Sequence, residues 1–181
     1  MFEKEVGQLP IIRLIDGLNE FVGRIVSVTA IVFAAIIIYD VMMRYLLGQP
    51  TRWSFDVTKQ LYGFYFIMLG GYALRHQSHV RVDLVTERLG PQPRRWTEIA
   101  GYLIFFFPFA WIFARTSWDF GMTSWNQGEV TYGALQLPVY PLKMAIFVAA
   151  LLLLIQGISE VLKLLLAKPA KPEPMEPLDV R

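Results

Sequence analysis

The sequence contains no cysteine, which excludes disulfides and thiolate metal sites. Histidine is nearly as scarce. Its two copies, His76 and His79, lie three apart in one polar segment. A bis-histidine haem site needs ligands on facing helices, so hydrogen bonding at a membrane edge is the expected role for this pair. No nucleophile–base pair, glycine-rich phosphate loop or metal-spaced cluster is present. No cofactor and no enzymatic activity are therefore expected, and nothing points to a nucleic-acid partner. Charged residues make up only 18% of the chain. No stretch is long, polar and patterned enough to form a separate soluble domain.

What is present is apolar. Hydrophobic residues reach 55% and the mean hydropathy is +0.42, which places the chain in the membrane class. A span needs roughly 20 apolar residues, so 181 residues accommodate a few spans and little else. The expected fold is all-α and polytopic, with four transmembrane helices at about 25–47, 55–74, 99–118 and 143–166 and short interfacial helices. These spans make a membrane domain over 25–166. A disordered cytoplasmic tail, rich in proline and charge, follows over 167–181.

Residues 1–24 read as a cytoplasmic amphipathic lead-in. Glu3, Lys4 and Glu5, with no small-residue cleavage site after them, argue against a signal peptide. Ile11, Ile12, Leu14, Ile15, Leu18, Phe21 and Val22 fall at helical spacing. Such a helix either lies in the interface or extends the first span.

The stretch Asp40–Asp83 organises the chain as a membrane hairpin. Asp40 and Arg44 share a helix face near the end of the first span and are expected to pair. Gly48 and Pro50 break the helix. Ser54 restarts it as an N-cap, with Asp56 in the first turn and Trp53 at headgroup level. Gly70 and Gly71 allow close helix approach. Pro108 interrupts the third span near its middle. Arg115 and Asp119 form another four-apart pair, and 120–141 reads as a connection anchored by Trp125, Tyr132 and Tyr140.

Of the 17 lysines and arginines, twelve fall in the termini and the 75–98 segment. Five (Arg44, Arg52, Lys59, Arg115 and Lys143) fall opposite. The positive-inside rule then puts both termini in the cytoplasm.

The ordered set Arg44-Tyr45, Gly48, Pro50, Trp53-Ser54, Asp56, Gly70, Leu74-Arg75, His79, Arg81, Val82 and Asp83 resembles the small membrane subunit (DctQ type) of tripartite ATP-independent periplasmic, or TRAP, transporters. Asp56 stands where that family usually has glutamate. Trp125, Gly128-Glu129, Leu137-Pro138, Pro141, Lys143 and Gln156-Gly157 resemble a subgroup associated with keto acids, mannitol or chloroaromatic compounds.

The resemblance implies a bacterial inner-membrane subunit that scaffolds a large membrane subunit (DctM type). A periplasmic solute-binding protein delivers an anionic, commonly carboxylate, solute for sodium-driven uptake. Packing or structural roles are expected for Asp40, Arg44, Trp53, Asp56, Gly70, Gly71, Arg75, His79, Arg81 and Asp83. Arg52, Trp125, Glu129 and Tyr132 become candidates for a binding-protein docking surface. The competing readings are a membrane anchor of a respiratory haem or quinone enzyme and a self-sufficient small carrier.

Overall fold

The computed structural model describes residues 9–76 and 91–166. The expected motif residues His79, Arg81 and Asp83, and the tail over 167–181, lie outside them. Among the described residues all regular structure is helical.

Helix α1 is Pro10–Leu46, 37 residues without a break. Proline opens it where a missing N–H costs nothing. Gly48 closes it at φ +64, and the Gln49 N–H donates back to the Met43 carbonyl at 3.1 Å. Of the two arrangements open for the lead-in, the extension of the first span is the one found. Its buried residues, Ile12, Ile15, Asn19, Gly23 and Val26, form one face that leaves no point of detachment.

The expected second span is two helices, α2 (Ser54–Met68) and α3 (Gly70–Arg75). The ladder is interrupted at Leu69, directly before two glycines, the poorest helix formers after proline. It resumes with the Ala73 N–H on the Leu69 carbonyl at 2.8 Å. Among the described residues there are thus three helices long and apolar enough to cross a membrane, Pro10–Leu46, Gln92–Gln127 and Tyr140–Leu166, where four spans were expected.

The third expected span is longer than its hydropathy suggests. α4 (Pro91–Gly101), a π-helical turn (Tyr102–Phe106) and α5 (Phe107–Gln127) follow one another without a gap. The π turn stands immediately before Pro108, which has no N–H for the carbonyl one turn back. The Phe107 N–H reaches the Tyr102 carbonyl instead, over the wider spacing. α5 continues past Trp118 through Phe120–Gln127, expected as part of the connection, and Gly128 ends it at φ +59. Arg115 and Asp119 are both exposed and make no ion pair with each other.

Helix α6 (Tyr140–Leu166) is the central element. It packs against α1, α2 and α3 on one side and α5 on the other. In its most apolar stretch 44% of residues are buried, against 11% in α1. Small residues let α5 approach closely: Ala110, Ala114, Ser117 and Gly121 lie buried at steps of three and four, facing a helix that buries Ala145, Ala149 and Ala150. Gly157 admits the Phe106 ring; a Cβ there would lie 2.1 Å from it.

Gly71 makes the close approach expected of it, since a Cβ would stand 2.2 Å from Asn19 Oδ1. Gly70 does not, since a Cβ there would meet nothing within 4 Å. Midway along the bundle, Val26, Met68, Ala145, Ala149 and Leu152 form an apolar core.

Candidate functional site

Polar side chains collect in two clusters, one at each end of this core. At the first, Asp40 binds the turn between α1 and α2. Its Oδ1 accepts from the Thr51 N–H at 3.0 Å and from the Thr51 hydroxyl, and its Oδ2 accepts from Arg44 at 2.8 Å. Asp40 and Arg44 therefore pair as their spacing allows. Trp53 stacks on Tyr39, with ring centroids 6.2 Å apart.

Asp56, in the first turn of α2, is buried beneath the α5–α6 connection. Its Oδ2 accepts the Leu135 N–H at 3.2 Å, and a Cβ on Gly133 would collide with its carboxylate. One turn on, the Gln60 amide donates to the Pro138 carbonyl at 3.1 Å. The connection itself is a short hairpin: Thr131 N–H to Leu137 carbonyl at 2.8 Å, and Val139 N–H to Glu129 carbonyl at 3.0 Å.

Lys143 then pairs with Glu129 at 2.5 Å and lies 3.9 Å over the Phe120 ring. The Lys143 hydrogen bond, first among the causes, holds the Glu129 carboxyl below its ordinary value of 4.5. Of the residues expected to dock a partner, Arg52, Trp125 and Tyr132 are exposed at this end, while Glu129 is engaged by Lys143.

The second cluster joins α1, α3 and α6. Asp16 Oδ1 accepts from Gln156 at 3.0 Å, Ser159 at 3.0 Å and Lys163 at 3.1 Å. Glu160 accepts from the same Gln156 amide at 3.0 Å and from Lys163 at 2.8 Å. Asn19 donates to the Gln156 carbonyl oxygen at 2.9 Å, so Gln156 is satisfied from both sides while fully buried. Glu20 accepts from Arg75 at 2.6 Å and from His76 at 2.9 Å, and it pairs with Arg24. Arg75 also donates to the Asp16 carbonyl at 2.8 Å.

Reading the sequence selected Arg75 but missed Asp16, Asn19 and Glu20. The missed signal was a polar residue every three or four positions on the face that also carries Ile12 and Ile15. Gln156, Ser159, Glu160 and Lys163 answer it at the same spacing on α6.

Each carboxylate in the two clusters meets a cation or a backbone N–H. Among the described residues, no group of three or more His, Asp or Glu is placed to hold a metal ion. The chemistry available to these clusters is the tying of helices, with no carboxylate left free to act as a base.

Apolar outward faces on long helices, with polar clusters confined to the bundle ends, define a multi-pass membrane protein. Residues 21–167 match the family described as tripartite ATP-independent periplasmic transporters, DctQ component, and the chain belongs to that family. It is a TRAP transporter component, and the family is not one of enzymes. No curated protein and no solved structure matches the chain. The match gives no support to the respiratory-anchor alternative.

Proposed function

We propose that this chain is the small permease subunit that holds a large TRAP membrane subunit in the bacterial inner membrane and transports nothing by itself. One observation carries the reading: the two polar clusters bracket an apolar core that offers a solute no polar seat. At 1.5 Å per residue, Glu20 and Asp40 stand about 30 Å apart along α1, and Lys143 and Lys163 stand about 30 Å apart along α6. Asp56 and Arg75 are separated by about the same distance through α2 and α3. That distance is the thickness of a bilayer's hydrocarbon core.

This supports α2 and α3 crossing together as a fourth span within a membrane domain over 25–166. The twelve-to-five charge split supports cytoplasmic termini. The Asp40 cluster then faces the periplasm, with Arg52, Trp125 and Tyr132 as docking points for a solute-binding protein. The solute is an anion, a carboxylate above all, and a sodium gradient drives its uptake through the large subunit. His79, Arg81 and Asp83 belong to the cytoplasmic connector and serve its anchoring.

Reconstitution into liposomes under a sodium gradient tests this, with the three components added singly and together. Uptake is expected only with all three. Uptake by this chain alone would refute the scaffold reading, and full uptake without it would remove its necessity. Single cysteines placed in this cysteine-free chain test orientation. An impermeant thiol reagent applied outside should label Thr51→Cys and Thr131→Cys but not Gln92→Cys. The reverse pattern would invert the topology.

A further inference from the structure

Helix α5 carries two charges on its outer face, Arg115 and Asp119, one turn apart. Both are exposed, and among the described residues neither has a hydrogen-bond or ion-pair partner. The face below them is apolar. Trp111 and Ile112, one turn before Arg115, are 66% and 63% exposed, so nothing in this chain covers them. The other face of α5 is held against α6 by Ala110, Ala114, Ser117 and Gly121.

Lys143, at one end of the roughly 30 Å layer between Lys143 and Lys163, lies 3.9 Å over the Phe120 ring. α5 therefore enters that layer near Phe120. Its register on α6, Trp118 by Phe147 and Gly121 by Met144, carries it inward as its numbering falls. Asp119 thus sits at the boundary, and Arg115 about 7 Å inside it. Charges at membrane depth ordinarily face the bundle interior; these face the lipid. An arginine side chain is long enough to lift its guanidinium back to the boundary. There it brings more N–H donors than one carboxylate can accept. Lipid tails supply no acceptor. The nearest ones are the phosphates of the lipids whose tails lie on Trp111 and Ile112.

We propose that Arg115 and Asp119 form a headgroup site for phosphatidylethanolamine. Arg115 holds the phosphodiester by charge-assisted hydrogen bonds, and Asp119 accepts from the primary ammonium. The acyl chains run inward past Trp111 and Ile112. The pair of opposite charges selects this lipid. Phosphatidylcholine offers Asp119 a quaternary ammonium with no N–H, and phosphatidylglycerol offers it no cation. The proposal rests on the reading that places Lys143 at the edge of the bilayer.

The test uses the full chain purified in detergent and given equal amounts of the three lipids with identical acyl chains. Bound lipid is counted by native mass spectrometry. Phosphatidylethanolamine should be retained about tenfold over each of the others, the worth of one charge-assisted hydrogen bond. Asp119→Asn should bring phosphatidylethanolamine and phosphatidylcholine to equal retention. Arg115→Gln should lower both about tenfold, and Arg115→Lys, which keeps the charge, should lower them less. Both side chains are exposed, so helix content and elution volume should stay as in the native chain.

Equal retention of the three lipids, or a preference for phosphatidylglycerol, would overturn the site. So would a phosphatidylethanolamine preference that survives both Asp119→Asn and Arg115→Gln. The membrane placement is read separately, from an Ile112→Cys chain in sealed and then opened vesicles. Labelling by an impermeant thiol reagent would put this face in water and overturn the placement together with the site. An unlabelled Ile112→Cys with equal retention of the three lipids overturns the site alone.

Discussion

The two ends of the bundle solve the same problem with different groups. At the Glu20 end, side chains bind side chains across helices: Asp16, Asn19 and Glu20 on α1 meet Arg75 on α3 and Gln156, Ser159 and Lys163 on α6. At the Asp40 end, two of the carboxylates also bind backbone. Asp40 holds the Thr51 N–H and Asp56 holds the Leu135 N–H. The first arrangement fixes three helices relative to one another. The second fixes a turn and a connection onto helix ends and leaves Trp125 and Tyr132 exposed. The end that locks helices to one another is thus distinct from the end that pins a turn and a connection.

Removing the shared cation should break the locked end most severely. Lys163→Leu strands Asp16 and Glu160 in a mostly buried site, at a cost of about 3 kcal/mol. A thermal ramp in detergent, read as loss of the monodisperse peak, measures it. Adding Asp16→Asn and Glu160→Gln should restore much of the loss; if it does not, the charges are not the cause.

The glycine pair sharpens the comparison next. Gly71→Ala drives a methyl into Asn19 and should cost about 1–3 kcal/mol through overpacking. Gly70→Ala meets nothing within 4 Å and should leave the same thermal midpoint unchanged or slightly raised. Equal losses at both positions would mean that helix contact is not what Gly71 serves.

At the Asp40 end, Asp56→Ala removes the acceptor for the Leu135 N–H and should cost about 1–2 kcal/mol. The change is local, so faster proteolysis within 128–139 is expected while the detergent melting of the bundle moves little. A large fall in bundle stability would merge the two ends into one unit.

The smallest effect is electrostatic. Glu129 has its pKa lowered by Lys143, so this pairing is fully present above pH 4.5 and is lost as pH falls through the lower folded value. Trp125 packs edge-on against Tyr140 close by, with ring centroids 4.7 Å apart. Tryptophan fluorescence should therefore shift below pH 4.5 in the native chain, and Glu129→Gln should flatten that shift. A shift that survives the substitution belongs to another group.

Much was legible from local pattern. Apolar runs of about 20 residues announced membrane helices, and four-residue spacing announced the Asp40–Arg44 pair, because both depend on neighbours along one helix. The same spacing misled at Arg115 and Asp119. Shared helix faces permit a pair but do not compel two exposed side chains to form one. The end of α5 was also misplaced. Residues 120–127 are too polar to be read as span, yet they stay helical, and Gly121 packs on Met144 of α6 one turn after Trp118 packs on Phe147.

The sequence by itself determined that this chain is a helical membrane protein, roughly where its helices run, and the family to which it belongs. Apolar length and the order of short motifs are properties of the chain in one dimension. Only the tertiary structure decided that α6 is the central helix, that the second span divides at Leu69, and that Asp16 meets Lys163. Those facts depend on residues far apart in sequence arriving on facing helix surfaces. A polar residue on an apolar face looks alike before folding, whether its partner is water, lipid headgroup or a side chain 147 positions away.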